Sequence, residues 1–158
     1  MLQLIRVYSE ERALEWILEQ ERQLFGNGGL NRFGLIPMAQ NQFCFLAVRE
    51  GQFLGYALFL EDLQNRGFLY LFSFGIESSQ QGFGFGMQFA RLLRDWSKSS
   101  GYEGWTLTVA PENHAAKKLY ARLGTLEEDQ LLAKYYGPNE DRLWWKLRFV
   151  ATNLEPEL

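Results

Sequence analysis

The chain has 158 residues, of which 47% are hydrophobic and 22% are charged, and its formal net charge is −3. This length allows one hydrophobic core, so we predict a single domain over residues 1–150 and a disordered tail at residues 151–158. Lysine and arginine form no concentrated block, which argues against a nucleic-acid partner, because binding to phosphates needs a basic face.

The chain has a single cysteine and a single histidine. Cys44 therefore has no intrachain disulfide partner, and its place in the apolar stretch NQFCFLAV predicts a small core residue. His114 lacks a second histidine or a cysteine pair, so no metal site is expected. The first residues lack a signal-peptide pattern and no apolar run approaches the ~20 residues of a membrane span, so we expect a cytoplasmic protein with no membrane partner.

The first part of the chain predicts a strand, a helix, an irregular segment and a hairpin. Alternation at residues 2–7 is typical of a strand, and Ser9 is the predicted N-cap of a helix that ends near Phe25. The glycine-rich residues 26–38 predict a loop or a short helix that covers a site. Residues 43–60 predict a β-hairpin, because two apolar runs flank a Glu-Gly turn.

The rest of the chain predicts strands that alternate with helices. One strand is nearly unbroken apolar sequence, which is typical of burial on both faces. Both helices have apolar residues at steps of three and four. The predicted elements are strands at residues 67–76 and 105–109, helices at residues 85–96 and 113–124, and a last strand at residues 142–150.

Three glycines lie between the first of these strands and the first helix, in the stretch QQGFGFGMQFARLLRDW. Backbone N–H groups and the positive end of a helix bind phosphate where no side chain blocks the approach. Gly82, Gly84 and Gly86 therefore predict an anion site. A turn that is packed by Phe83 and Phe85 is the alternative that the glycines alone leave open.

Two common nucleotide motifs do not fit this stretch. A P-loop needs a lysine and then a serine or threonine after its last glycine, where the chain has Met87 and Gln88. The dinucleotide fingerprint needs its third glycine at the position of Phe89. The anion is therefore not expected to belong to a nucleotide that is bound by either motif.

Gln81, Gly84 and Gly86 resemble the Q/R-x-x-G-x-G/A pattern of the GNAT family of N-acetyltransferases. Further along, TLTVAPENHAAKKLYARLG at residues 106–124 is similar to the second signature of that family: a strand, an Asn, alanines, Leu-Tyr and a helix-ending Gly. The stretch AKYYGPNEDRLWWKL at residues 133–147 resembles the region before the final strand in members that acetylate protein N-termini.

The resemblance implies an α/β (α+β) fold in which helices flank a mixed, mostly antiparallel central sheet of about six or seven strands. The order of the predicted elements agrees with this fold over nearly the whole chain. In the family, two central parallel strands splay into a V-shaped cleft that holds acetyl-CoA as cosubstrate, without a metal.

The resemblance also implies cofactor contacts by position. Pantetheine would pair with the backbone of residues 74–76, and the pyrophosphate would meet the amides of residues 81–87. Asn113 matches a residue that contacts the cofactor arm, although it could serve only as a helix N-cap. The implied cofactor-binding residues are Phe74, Gly75, Ile76, Gln81, Gly82, Phe83, Gly84, Phe85, Gly86, Met87, Asn113 and Tyr120.

By the same resemblance, Tyr120 is the catalytic residue beside the thioester sulfur, where its hydroxyl would supply a proton to the leaving thiolate. A core aromatic is the alternative for this residue. Relatives that acetylate N-termini often carry a glutamate base where this chain has Thr108, and a threonine is not a base at neutral pH. The remaining candidates for the base are Glu77, or Tyr136 and Tyr135 acting through water.

The leading interpretation is an N-acetyltransferase that moves the acetyl group of acetyl-CoA to a primary amine: a small amine, an amino compound or a protein N-terminus. A non-catalytic acyl-CoA-binding or interaction module with the same fold is the alternative, because Thr108 replaces the glutamate. A third interpretation treats the Phe-Gly repeat as a packing or self-association element. Trp144 and Trp145 face opposite sides of a strand, so one packs in the core and the other lines a cleft or a homodimer contact.

Overall fold

The computed structural model describes residues 1–150, which contain seven strands and four α-helices. The predicted tail at residues 151–158 lies outside the described residues. In chain order the elements are β1 (Gln3–Val7), α1 (Glu11–Phe25), α2 (Arg32–Asn41), β2 (Phe43–Arg49), β3 (Gln52–Glu61), β4 (Phe68–Ile76), α3 (Phe85–Ser99), β5 (Gly104–Val109), α4 (His114–Ala121), β6 (Gly124–Leu132) and β7 (Arg142–Phe149).

The seven strands form one sheet in the order β1-β2-β3-β4-β5-β7-β6. The pairs β1/β2, β2/β3, β5/β7 and β6/β7 are antiparallel. β4 and β5 run parallel, so the sheet is mixed and mostly antiparallel. The predicted fold class is confirmed. The V-shaped splay of the two parallel strands stays a prediction.

The chain divides into two compact units. The first unit contains residues 1–60 and 71–92, and the second contains residues 61–70 and the described residues from 93 onward. β4 and α3 each contribute residues to both units. The prediction of a single domain over residues 1–150 stays a prediction.

The core of the first unit forms between α1, α2 and the strands β2 and β3. α1 buries residues three and four positions apart, including Leu14 and Ile17, which is the pattern of an amphipathic helix. α2 adds Leu35 and Ala39, one turn apart. These side chains join one apolar cluster with residues of the hairpin such as Leu58. The cluster fixes α1 on one face of the sheet.

The hairpin is confirmed, whereas the start of α1 differs from the sequence prediction. Glu50 and Gly51 both have positive φ, as a tight two-residue turn requires. The N-cap of α1 is Glu10 and not Ser9. The carboxylate of Glu10 accepts the N–H groups of Tyr8 at 2.8 Å and Ser9 at 3.0 Å, and these hydrogen bonds lower the pKa of Glu10. The chain therefore enters the helix one residue later than predicted.

The glycine-rich residues 26–38 form a 3₁₀ turn at Gly26–Gly28 followed by most of α2. The predicted loop or short helix is thus a short turn and then a helix. We call residues 26–30 the connector, because they join α1 to the start of α2. That this segment covers a site stays a prediction.

The core of the second unit is built around β5 and β7. Trp105 and Leu107 of β5 and Leu147 of β7 are buried. The indole N–H of Trp105 donates to the hydroxyl of Ser97 at 3.0 Å, and that hydroxyl donates to the carbonyl of Leu93 at 2.8 Å. The indole N–H of Trp105, the largest fully buried side chain, therefore has a hydrogen-bond acceptor.

β6 is the last strand in the sheet order, and its residues 125–131 are all exposed. Its register shifts between Leu126 and Glu128, which indicates a β-bulge. Glu127, Glu128 and Asp129 place three carboxylates in succession on this strand. Within residues 1–150, no helix combines the length and the apolar character needed to cross a membrane.

Candidate functional site

The glycine loop, residues 81–86, precedes and opens α3. Gly82 and Gly84 have φ angles of 85° and 82°, in the left-handed region that other residues rarely adopt. A Cβ added at either position would meet no atom within 4 Å. The backbone conformation requires these two glycines, and the space next to them is open. Gly86 lies inside α3 and its φ is not positive.

The first backbone N–H groups of α3 come directly after Gly84 in the chain. The first bond of the helix runs from the N–H of Gln88 to the carbonyl of Gly84 at 3.2 Å. The N–H groups of Phe85, Gly86 and Met87 precede that bond and have no carbonyl acceptor within the helix. They lie at the positive end of a 15-residue helix. Anion binding by the glycine loop stays a prediction.

Hydrogen bonds hold the glycine loop against the end of β4. The side-chain N–H of Gln81 donates to the carbonyl of Ile76 at 3.1 Å. The carboxylate of Glu77 accepts the amide of Ser79 at 3.1 Å and also the hydroxyl of Ser79, so it caps a 3₁₀ turn at Ser78–Gln80. Glu77 thus has a structural role in the loop, and its role as a base stays a prediction.

A cation beside the glycine loop has no counterpart in the sequence prediction. The guanidinium carbon of Arg49, at the end of β2, lies 5.5 Å from the centre of the Phe85 ring. The rings of Phe83 and Phe85 are 6.4 Å apart, although Phe83 is 69% exposed. The positive charge of Arg49 therefore adds to that of the helix end. Local sequence gives no signal for it, because Arg49 belongs to a distant strand.

The two faces of β4 next to the glycine loop pack against different helices, α3 on one side and α1 on the other. Phe74 stacks on Phe89 of α3, with ring centres 5.4 Å apart. Gly75 faces α1, where an added Cβ would come within 2.7 Å of both Leu24 and Tyr56. Packing against α1 therefore requires a glycine at position 75, whatever the backbone of this strand binds.

The sequence analysis did not single out a carboxylate that is buried on the α1 face. Glu21 is 2% exposed. Its Oε1 accepts hydrogen bonds from the hydroxyls of Tyr56 at 2.9 Å and Ser73 at 2.6 Å. Its Oε2 accepts the amide of Leu30 in the connector at 3.1 Å. The only sequence signal is a charged residue at a position where the amphipathic pattern of α1 calls for an apolar one.

Tyr56, which contacts Glu21, and Cys44, which interacts with Tyr56, both keep their protons at neutral pH. Burial raises the pKa of Tyr56, and the charge of Glu21 raises it further. Burial also raises the pKa of Cys44 to about 12, as expected for the inert core thiol that the sequence predicts. Both groups are therefore neutral, and Tyr56 acts as a hydrogen-bond donor to Glu21.

The remaining predicted site residues lie in the second unit. Asn113 caps α4, because its side-chain oxygen accepts the amide of Ala116 at 3.2 Å. Tyr120 is buried in the same helix, and burial raises its pKa. Residues 74–76, Glu77 and the glycine loop lie in the first unit.

Around Thr108, the structure brings together three tyrosines. The Tyr70 hydroxyl is 3.5 Å from the Thr108 hydroxyl and also interacts with the side chain of Tyr136. Burial, opposed by the bond to Thr108, raises the pKa of Tyr70 to about 12. Tyr136 contacts Tyr135, with ring centres 4.7 Å apart, and carries the guanidinium of Arg142 over its ring at 5.0 Å. Sequence reasoning named Tyr135 and Tyr136 but missed Tyr70.

Among residues 1–150, no group of three or more His, Cys, Asp or Glu side chains is arranged to hold a metal ion. The glycine loop and the helix that it opens lie within residues 6–125, which match the family model described as the acetyltransferase (GNAT) family. The chain belongs to the GNAT acetyltransferase family. Membership confirms the resemblance and the prediction that the protein is an acyltransferase. No curated protein is similar enough in sequence to count as a match.

Solved structures of other GNAT proteins resemble the chain at low sequence identity. The ribosomal-protein-S18-alanine N-acetyltransferase from Escherichia coli has a TM-score of 0.76 and 21% identity, with 100% of each chain covered. YncA from Salmonella typhimurium, solved with its cofactor acetyl-CoA, has a TM-score of 0.73 and 16% identity, covering 99% of this chain and 98% of that one.

The diaminobutyrate acetyltransferase EctA from Paenibacillus lautus, solved with L-2,4-diaminobutyric acid and coenzyme A, has a TM-score of 0.73 and 17% identity. The match covers 96% of this chain and 97% of EctA. At these identities the likeness demonstrates a shared fold.

Proposed function

We propose that the protein transfers the acetyl group of acetyl-CoA directly to a primary amine. Family membership supports acetyl transfer. The observation that carries the proposal is the glycine loop, where left-handed Gly82 and Gly84 leave open space before the first amides of α3. This geometry suits an anionic ligand that comes close to the backbone.

The pyrophosphate of acetyl-CoA is the group that we assign to the glycine loop. Its oxygens would accept the N–H groups of Phe85, Gly86 and Met87, and the helix end favours their negative charge. The guanidinium of Arg49 lies close enough to Phe85 to add attraction at longer range. Pantetheine would then run along the backbone of residues 74–76, as the family resemblance implies.

The roles of Asn113 and Tyr120 are proposals from the same resemblance. The side-chain oxygen of Asn113 is used in the cap of α4, so a cofactor contact would use its NH₂ group. Burial raises the pKa of Tyr120, so its hydroxyl stays protonated. A raised pKa also makes complete proton transfer to a thiolate of pKa ~8.5 less favourable. Tyr120 therefore stabilises the leaving sulfur mainly as a hydrogen-bond donor.

In the reaction, the amine nitrogen bonds to the acetyl carbon and the carbon–sulfur bond breaks, with the electron pair going to sulfur. A neutral amine is needed for the attack. An α-amine of pKa ~7.8 is neutral in about one molecule in seven at pH 7, and a lysine-like amine of pKa ~10.4 in about one in 2,500. Small amines, amino compounds and protein N-termini are all within the proposed acceptor class.

An acetylation assay tests this function. The protein is incubated with acetyl-CoA and one of three amines: a peptide with an N-terminal alanine, L-2,4-diaminobutyric acid or spermidine. We expect release of CoA thiol that depends on at least one amine, with the acetylated amine identified by mass spectrometry. A protein that neither binds acetyl-CoA nor releases CoA would contradict the proposal.

A non-catalytic acyl-CoA-binding module is the second candidate, and Thr108 is the observation that favours it. Thr108 stands where related enzymes often have a glutamate base. Its side chain is a hydroxyl, which pairs with the hydroxyl of Tyr70. Tyr120→Phe separates the two candidates. An enzyme is expected to lose about tenfold or more in kcat while its affinity for acetyl-CoA stays within a factor of two. A binding module would hold acetyl-CoA without amine-dependent release of CoA in either form.

A further inference from the structure

The function proposed above assigns no base, and the first unit contains a buried carboxylate, Glu21, that has not been given a role. Glu21 is enclosed by α1, β3, β4 and the connector, with Tyr56, Ser73 and Leu30 as its hydrogen-bond donors. A carboxylate in a protein interior is costly unless it is well hydrogen-bonded. Three donors meet this requirement.

We propose that Glu21 is the proton acceptor of the acetyl-transfer reaction and that the hydroxyl of Ser73 relays the proton to it. The inference rests on the proposed acetyltransferase function. It gives Glu21 a positioning and proton-accepting role behind Ser73, without contact between Glu21 and the substrate.

The position of Ser73 along β4 supports the relay. Ser73 directly precedes residues 74–76, the backbone segment that we assign to pantetheine. Its hydroxyl lies on the α1 face and donates to Oε1 of Glu21 at 2.6 Å, a short distance typical of a hydroxyl bound to a charged carboxylate. A proton that reaches Ser73 therefore has a direct route to Glu21.

The charges around Glu21 suit a proton acceptor. Tyr56 faces it from β3, and Cys44 interacts with Tyr56 from β2. Both have pKa values raised by burial, so neither competes with Glu21 for the proton at neutral pH. Ser73 from β4 and the amide of Leu30 from the connector are neutral donors. Glu21 is the carboxylate of this cluster, and the groups that contact it are hydrogen-bond donors.

The proton balance of the step is complete. The acceptor enters as an ammonium ion and gives one proton to Oγ of Ser73, while the original Ser73 proton moves to Oε1 of Glu21. The free amine then forms the nitrogen–carbon bond, and the carbon–sulfur bond breaks. The second amine proton goes to the thiolate. The products are the amide, CoA thiol and a protonated Glu21, which returns its proton to solvent.

A role in fastening the connector is the alternative for Glu21, because its Oε2 accepts the amide of Leu30. A fastening role and a relay differ in their pH dependence. Loss of a base slows the reaction most at low pH, where the amine is protonated, and matters little once the amine loses its proton to solvent. Loss of a fastening bond reduces activity by a similar factor at every pH.

The test compares kcat/KM between pH 6.5 and 10 for the wild type and three variants: Glu21→Gln, Ser73→Ala and Tyr56→Phe. We expect Glu21→Gln and Ser73→Ala to lose about 100-fold at pH 7 and to approach the wild type near pH 10. Tyr56→Phe removes a hydroxyl that donates to the same Oε1 but keeps the relay, so its loss should not grow as the pH falls. The affinity for acetyl-CoA is measured for each variant.

Ser73→Ala keeps Glu21 and its bond to Leu30, so it tests the relay even if Glu21→Gln does not fold. A loss that is equal at all pH values in Ser73→Ala would overturn the relay and leave the acetyltransferase function intact. A wild type that binds acetyl-CoA but acetylates no amine at any pH would overturn both the relay and the proposed transfer. The two failures are therefore distinguishable.

Discussion

The connector and the glycine loop are both glycine-rich segments of the first unit, and they need glycine for different reasons. In the connector, Gly26 ends α1 with a φ of 58°, and a Cβ added at Gly29 would lie 2.6 Å from the backbone oxygen of Glu21. In the glycine loop, Gly82 and Gly84 have positive φ and open space. Glycine allows close packing in one segment and leaves room for a ligand in the other.

The largest effect is expected from Gly84→Glu, which places a carboxylate where we propose the pyrophosphate. Repulsion between like charges should weaken acetyl-CoA binding by about 100-fold, or ~2.7 kcal/mol. Isothermal titration calorimetry with acetyl-CoA measures the change. The positive φ adds about 1–2 kcal/mol of strain, so the melting temperature is measured as well.

Gly101→Glu is the matched control, because Gly101 has a φ of 90° and open space but lies outside the glycine loop. It should lose similar stability and keep its affinity for acetyl-CoA. If the wild type and the Gly84→Glu variant bind acetyl-CoA with equal affinity, the glycines of the loop are needed only for the backbone conformation.

A smaller effect, on stability, is expected from Gly29→Ala. The added methyl group has no room beside the backbone of Glu21, so the connector must shift away from α1. We expect the free energy of unfolding in urea to fall by about 2 kcal/mol. At a temperature where the variant is folded, its affinity for acetyl-CoA should match that of the wild type.

Gly28→Ala is the control for this change, since a Cβ at Gly28 would meet no atom within 4 Å and its φ is not positive. Its free energy of unfolding should stay within about 0.5 kcal/mol of the wild type. If Gly28→Ala and Gly29→Ala are equally destabilising, close approach to Glu21 is not the reason for a glycine at position 29.

The smallest effect is expected from Arg49→Ala, which removes the cation beside the glycine loop. Affinity for acetyl-CoA should fall by about fivefold or less, because the guanidinium is exposed and solvent screens its charge. The loss should shrink as the salt concentration rises. Arg12→Ala removes a similar contact, in which the guanidinium of Arg12 lies 5.0 Å from the centre of the Phe53 ring. An equal loss of affinity in both variants would argue against a specific role for Arg49.

Features that depend on local sequence were predictable. The turn at Glu50 and Gly51, the cap at Asn113 and the glycine loop each follow from the conformations and hydrogen bonds of residues close together in the chain. The two motifs that identified the family, at residues 81–86 and 106–124, are also local in sequence. At the start of α1 the sequence predicted Ser9 as the N-cap, whereas Glu10 occupies that position and makes no side-chain capping bond to the helix.

Features that depend on distant residues were not predictable from one sequence. Glu21 meets Tyr56 and Ser73 only after the helix packs on the sheet. Arg49 reaches Phe85, and Tyr70 reaches Thr108, only in the folded chain. The residue types alone gave no reason to group them. The list of site residues predicted from the family resemblance therefore did not include Glu21, Arg49 or Tyr70.

The exposed strand β6 has a consequence for how copies of the protein meet in solution. An open edge of a sheet can pair with another strand, and this edge carries a bulge and the carboxylates of Glu127, Glu128 and Asp129. Two copies that approach each other along β6 would bring three carboxylates from each copy together, although Glu127 is paired with the guanidinium of Arg148. Repulsion among these carboxylates opposes such pairing, so concentrated solutions of the protein should stay clear better at low salt than at high salt, which screens the charges.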